Sequence, residues 1–176
     1  DSISRDWINL FCNLSINNYI LLPNIKTELL NQYCEYHSIN GFLFTGGDDI
    51  GTDSKRDKVE VAALNIAKKK SLKVMGICRG MQIISCFFGG TLKSVDGHLA
   101  TTHTINDSSS RLVNSYHNYS IKNLPDCFDV IYRATDNSIE SISHKILPWY
   151  GCMWHPERDD VIHPMDLKML EYLFLR

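Results

Sequence analysis

Lys73-Val74-Met75-Gly76-Ile77-Cys78-Arg79-Gly80-Met81-Gln82 is the most informative stretch of the chain: a short apolar run, then G-x-C-x-G, then helical spacing over residues 80–88 that stops at Gly89-Gly90. A sharp strand-to-helix turn of this kind holds its central side chain in a strained, exposed position. The flanking glycines are needed where neighbouring chain passes too close for a Cβ. The turn also sets Cys78 at a helix N-terminus, where the dipole and free N–H groups favour thiolate over thiol. At this composition the pattern is expected by chance only about 0.02 times. A buried cysteine packed between strand and helix is the alternative reading. The strand before it and the helix after it favour a nucleophile.

Outward from this elbow, the first two thirds of the chain alternate helical stretches with short continuous apolar runs, the pattern of strands covered on both faces by helices. Upstream, Gly41-Phe42-Leu43-Phe44-Thr45 reads as a strand entering the loop Gly46-Gly47-Asp48-Asp49. Residues 55–70 read as a helix, with Val59, Ala62, Ala63, Ile66 and Ala67 at helical spacing and basic residues gathered at its end. Trp7, Leu10, Phe11 and Leu14 suggest an opening helix, residues 19–22 form a short apolar run closed by Pro23, and residues 27–37 suggest a second helix. Downstream, Ser, Thr, Asp and His crowd residues 93–111, which read as an irregular excursion over one end of the sheet. Residues 128–132 and 139–143 flank Thr135-Asp136-Asn137-Ser138 as an antiparallel hairpin, residues 149–154 give one more strand, and residues 164–175 give a closing helix. The expectation is an α/β domain spanning residues 1–176, its mostly parallel central sheet flanked by helices, with an antiparallel hairpin in the C-terminal third.

The 176 residues are 44% apolar and 22% charged, and 18 Lys+Arg against 20 Asp+Glu leave −2, so no broad basic face argues for nucleic acid or an anionic membrane. No apolar run approaches the roughly 18 residues of a membrane helix, and residues 1–13 have neither a basic segment nor a following apolar one, so a cytoplasmic protein is expected. The six cysteines are scattered singly with no CxxC, which favours thiols over disulfides. No HExxH or zinc-spaced Cys/His cluster occurs, His98 and His103 form only a loose pair in a polar stretch, and no metal or cofactor is expected. His37 and His144 read as exposed helix and strand residues, and His163 precedes a helix start at Pro164.

A nucleophilic cysteine needs a base. His155 in Trp154-His155-Pro156-Glu157 is the best candidate, because Glu157 can orient its imidazole while Pro156 fixes the local backbone. The order along the chain would be Cys78, His155, Glu157.

Thr45-Gly46-Gly47-Asp48-Asp49-Ile50, the elbow, Gly89-Gly90-Thr91-Leu92, Val113-Asn114-Ser115-Tyr116-His117 and Trp154-His155-Pro156-Glu157 together resemble, in order and spacing, the class I glutamine amidotransferase-like hydrolases. The similar branch is the one containing γ-glutamyl-γ-aminobutyrate hydrolase. The resemblance implies a flavodoxin-like sandwich and cofactor-free hydrolysis of a γ-glutamyl amide. By it, Cys78 would attack the γ-carbonyl, His155 would move protons and Glu157 would hold the tautomer of His155. The backbone N–H groups of Arg79 and of the Gly46-Gly47 loop would meet the oxyanion. Gln82 and the backbone of Asn114-Ser115-Tyr116 would hold the two ends of the glutamyl group, with His117 beside them. Arg56, Asp57 and Glu60 match a family pattern too, although Arg56 reads equally well as a solvated charge at a helix start.

Two departures bear on substrate and fold. Many members of that branch carry a histidine where Asn118 stands and a glutamine where Met153 stands. Tyr116-His117-Asn118-Tyr119 with Met153-Trp154-His155-Pro156-Glu157-Arg158 is more similar to the hydrolases of capsule phosphoramidate synthesis, which cleave a γ-glutamyl nucleotide amidate. Asn118, Met153 and the polar loop 93–111 would then face the departing amine, with His117 and Arg111 meeting its negative charge. The other departure is at the start, where relatives open with an apolar strand. Its absence predicts an unpaired gap or an exposed edge beside residues 73–77. Two other readings stand beside this one: a glutaminase subunit supplying ammonia to a synthase partner, and a non-catalytic thiol sensor or binding module. A homodimer stays open.

Overall fold

The elbow strand is Lys73–Ile77 (β2), and it runs through the parallel part of a five-stranded sheet. It pairs in parallel with Gly41–Phe44 (β1) on one side and with Trp149–Cys152 (β9) on the other. Beyond β9 the pairing turns antiparallel, through Ile139–His144 (β8) to Phe128–Arg133 (β7), giving the order β1-β2-β9-β8-β7. This is a computed structural model, describing residues 3–14, 16, 18–107 and 110–174, and of Leu173 only the backbone.

The continuous apolar runs follow from cover on both faces. Four of the five β2 residues and all four of β9 are buried. The helix after the elbow, Arg79–Phe87 (α4), lies on the face that carries Gly76, where a Cβ would meet Ile84. Phe174 of the closing helix, Pro164–Phe174 (α5), lies against Gly41, whose register partner Lys73 points away from the Gly76 face. Ser54–Lys70 (α3) begins where Asp53 accepts hydrogen bonds from the N–H groups of Lys55 (2.9 Å) and Arg56 (3.3 Å), and ends with Lys68, Lys69 and Lys70 at its negative pole. Thr27–Tyr36 (α2) packs on α3, and Arg5–Asn13 (α1) packs against the 3-10 turn Pro156–Arg158. The helix expected over 164–175 is thus present, with Leu175 outside the described residues.

Three expectations need correction. No gap or exposed edge lies beside β2, because β9 returns from far along the chain to pair with its second edge; among the described residues the strands of this sheet with a strand partner on one side only are β1 and β7. Residues 19–22 form no strand: they run over the surface, with Tyr19, Ile20 and Leu21 exposed and the Tyr19 ring resting 4.6 Å from Phe11. The segment 93–111 is not irregular. Thr91–Ser94 (β3) pairs with Tyr119–Asn123 (β6), and Leu99–Thr104 (β4) pairs with Leu112–Tyr116 (β5), Ser108 and Ser109 lying outside the described residues. Polar residues serve here because one face stays wet. In β5 only Val113 and Ser115 are fully buried.

No helix among the described residues is long and apolar enough to cross a membrane. All six cysteines are free thiols.

Candidate active site

Cys78 stands at φ 53° and ψ −109°, a left-handed conformation that a side chain adopts only when its surroundings force it. The forcing contacts are visible. Its N–H donates to Cys152 O at 2.7 Å, anchoring the end of β2 to β9, and its carbonyl accepts from the N–H groups of Met81 (3.0 Å) and Gln82 (3.1 Å), opening α4. A Cβ on Gly76 would run into the Gly80 carbonyl, and one on Gly80 into the Phe44 carbonyl, so both glycines are required by close approach.

His155 follows β9 and points its Nδ1 at Glu157 Oε1 across 2.7 Å, both side chains being buried. A carboxylate only accepts, so Nδ1 carries the proton and Nε2 is the basic nitrogen. The backbone of His155 is gripped by Asn114 on β5: Asn114 Oδ1 accepts from His155 N, and Asn114 Nδ2 donates to His155 O, each at 2.8 Å. The ring sits between the Tyr116 ring, met edge-on at 5.7 Å, and Gly46, where a Cβ would lie 2.6 Å from His155 Cε1.

Beneath the elbow lies a charge network that the sequence left open. Arg56 Nε donates to Glu60 Oε1 at 2.8 Å, while its Nη2 donates to the carbonyls of Thr45 (2.9 Å) and Gly46 (3.1 Å). Arg56 is therefore a tether for the Gly46-Gly47 loop, and a Cβ on Gly47, at φ 143°, would strike its guanidinium. The Arg79 side chain is buried and pairs with both Glu60 and Asp57 of α3.

Cys78 opens onto a cleft of about 250 Å³. Arg79 and Gln82 line it from α4; Gly47, Asp48, Asp49 and Thr52 line it from the loop after β1; Tyr116, His117 and Asn118 line it from the β5–β6 turn. Gln82 also donates to Tyr119 O at 3.0 Å. Asn114 and Ser115 turn their side chains elsewhere, Asn114 to His155 and Ser115 to His98 O at 2.7 Å.

The expected contacts to the departing group change accordingly. Arg111 faces Asp166 in a two-pronged ion pair beside the Trp154 ring, so it is spent away from the cleft. Met153 is wholly buried in the core. His117 borders the cleft, but burial pushes its pKa down to about 3, leaving it neutral and unable to meet an anion by charge. Arg158 stacks 4.3 Å over the ring of Tyr116, which lines this wall.

Burial also reverses the expected ionisation of Cys78. With 4% of the residue exposed, loss of hydration pushes the thiol up to about 12, Glu157 pushing the same way, against the Arg79 N–H and Arg158, which favour the thiolate. The resting group is a neutral thiol. Iodoacetamide at neutral pH is thus expected to label the exposed Cys12 well before Cys78, and the Cys78 rate should rise by about tenfold per pH unit, in step with its thiolate fraction. Mass spectrometry of timed samples checks this; Cys78 labelling first, at a rate flat in pH, would show a preformed thiolate.

The sequence also missed a buried polar cluster. His98 and His103 are not a loose pair: they pack with His117 against Glu140 of β8, behind the β5–β6 wall of the cleft. His144 is half-buried, its Nδ1 accepting from the N–H groups of Ile146 and Leu147.

A flavodoxin-like sheet with a cysteine elbow and a His-Glu pair after the last strand defines the class, and residues 2–175 match the glutamine amidotransferase class-I family, to which the chain belongs. Among relatives, it is 28% identical over 173 residues to a γ-glutamyl-CDP-amidate hydrolase of Campylobacter jejuni, covering 95% of this chain and 86% of that one. It is 33% identical over 147 residues to a glutamine-hydrolysing GMP synthase subunit of Methanococcus maripaludis, covering 78% of this chain and 73% of that one. In fold it is similar to the crystal structure of a candidate GMP synthase subunit from Thermoplasma acidophilum, with a TM-score of 0.68 at 21% identity over 88% of this chain and 78% of that one.

Proposed function

We propose that the protein hydrolyses a γ-glutamyl amide through a Cys78 thioester. The observation that carries the reading is the strained elbow thiol on a cleft bordered by the wall that buttresses the His155–Glu157 pair. Because the resting thiol is neutral, His155 Nε2 takes its proton as Sγ attacks the γ-carbonyl carbon. The tetrahedral oxyanion is met by the Arg79 N–H and by an N–H of the Gly46-Gly47 loop, held in place by Arg56. Collapse breaks the C–N bond, and His155 returns the proton to the leaving nitrogen. Water, deprotonated by the same nitrogen, then cleaves the thioester to release glutamate. Asp48 and Asp49 suit the α-ammonium of the glutamyl group, and Gln82 its polar remainder.

The leaving group we assign is an anionic amidate such as that of γ-glutamyl-CDP-amidate, supported by the Campylobacter relative and by the cation of Arg158 stacked on Tyr116 of the cleft wall. The GMP synthase relatives support a second reading, in which glutamine is the substrate and the ammonia passes to a synthase partner. Initial rates on glutamine, γ-glutamyl-γ-aminobutyrate and γ-glutamyl-CDP-amidate at equal concentration separate the two. We expect the nucleotide amidate to exceed glutamine in kcat/KM by about tenfold or more, the discrimination residing in the leaving group. Glutamine as the best of the three would transfer the assignment to the ammonia-supplying role.

A further inference from the structure

We propose that His98, His103 and Glu140, with His117 beside them, form a site for a divalent transition-metal ion of the zinc type, which fastens the β4–β5 hairpin to β8 behind the cleft.

The hydrogen bonds around the cluster fix where its protons lie. His98 Nε2 stands 3.0 Å from a carboxylate oxygen of Asp136, which can only accept, so Nε2 carries the proton and Nδ1 presents a lone pair. His117 Nδ1 stands 3.0 Å from the Tyr119 carbonyl and carries the proton by the same reasoning, leaving a lone pair on Nε2. Those two lone pairs face each other across 3.3 Å, and Glu140 Oε1 lies 3.7 Å from each nitrogen. Three acceptors converge. His103 adds a fourth group: its Nε2 is 3.1 Å from Glu140 Oε2, yet neither of these atoms, nor His103 Nδ1, makes a hydrogen bond. Glu140 is fully buried and His103 largely so.

A cation at the centre resolves the conflict. Ligands on a tetrahedral zinc at about 2.0–2.1 Å lie about 3.3–3.4 Å apart. Around Glu140, counting both of its oxygens, and between His98 and His117 the separations run from 3.1 to 3.7 Å, and the ligand atoms of His98, His103 and Glu140, one from each, lie within 4.8 Å of one another. Imidazole nitrogens with a carboxylate oxygen suit zinc, and cobalt or nickel as its substitutes. The outer contacts fit as well, since metal-bound histidines characteristically donate their other N–H to a carboxylate or a backbone carbonyl, as His98 does to Asp136 and His117 to Tyr119. The ligands come from the segment before β4, from β4, from the β5–β6 turn and from β8, so the ion would join pieces distant in sequence.

The test uses chelator-treated protein titrated with Zn2+ alone at neutral pH, read by calorimetry and by thermal melting. We expect one equivalent bound with Kd tighter than about 1 μM and a raised Tm. Asp136→Asn should weaken binding by about 10- to 100-fold. His103→Gln and Glu140→Gln should each weaken it further, His103→Gln serving where Glu140→Gln fails to fold. Cys78→Ser should bind as tightly as the native chain, and Co2+ should give tetrahedral d–d bands without a thiolate charge-transfer band. Absence of binding with an unchanged Tm would overturn the proposal and leave a shared proton on His98 as the cluster's charge. Loss of binding in Cys78→Ser would overturn it in favour of a metal at the elbow. Neither readout depends on hydrolysis, so the proposal and the catalytic reading fail separately.

Discussion

Replacing Cys78 with alanine is expected to lower kcat on any γ-glutamyl amide by at least about 10⁴-fold, while the protein stays folded. Under the proposed mechanism no other group can form the acyl-enzyme, and residual turnover would come only from binding and the oxyanion donors. The structural cost is small. Sγ is one buried atom, and its removal costs about 1 kcal/mol, less than the cavity left by a larger core residue. The strained φ remains in the variant, because hydrogen bonds of the Cys78 backbone to Cys152, Met81 and Gln82 impose it. Cys86→Ala serves as the control and should retain activity. Steady-state kinetics beside a melting curve decides the matter: native-like turnover in Cys78→Ala would remove the nucleophile assignment, and a collapsed Tm would mean that the thiol is chiefly a packing group.

The largest effect on stability is expected from Arg79→Met. Its guanidinium lies between Glu60 and Asp57, the three side chains being 3%, 11% and 19% exposed, so removing the cation strands two carboxylates where water reaches them poorly. Breaking a buried pair in this way costs about 3–5 kcal/mol, and Arg56, still on Glu60, should hold the loss near the lower figure. For a chain of this size that is a fall in Tm of roughly 6–12 °C. Adding Asp57→Asn and Glu60→Gln should recover a substantial part of it, since the penalty belongs to the uncompensated charges rather than to lost packing. A triple variant no more stable than Arg79→Met would show that the guanidinium acts through its van der Waals contacts. Thermal unfolding of the series distinguishes the two.

Where a physical pattern is local, the sequence disclosed it. The five helices and the strands of the main sheet follow from periodicity, from Asp53 as a cap and from Gly89-Gly90 as a stop, and Gly76 and Gly80 flag the elbow because a Cβ there has nowhere to go. The two-stranded pairs were hidden, because β3 to β6 mix Ser, Thr, Lys, Asn and His with scattered apolar residues, and their pairing is a matter of backbone ladders rather than of apolar alternation. The polar cluster was hidden for another reason: positions 98, 103, 117 and 140 have no ligand spacing along the chain and meet only when β8 returns beside the hairpin. The ionisation of Cys78 illustrates a third limit. A helix N-terminus is legible locally and argues for thiolate, whereas the depth of burial that outweighs it belongs to the assembled fold. Arg111 shows the same, since its partner Asp166 lies on the closing helix.

Asn114 has a consequence for how the chain can carry a base beyond the edge of its sheet. Once β9 ends, His155 has no neighbouring strand to occupy its N–H and C=O, and polar backbone groups left that way in a buried setting are costly. The carboxamide of Asn114 presents an acceptor and a donor side by side and takes both groups, as the rung of a ladder would. One side chain thus stands in for a strand. The backbone at His155 gains the rigidity of a sheet without its pleat or direction, so the chain is free to bend at once into the turn that brings Glu157 beneath the imidazole. Aspartate, with two acceptors, or serine, with too short a reach, offers no such counterfeit of a peptide group.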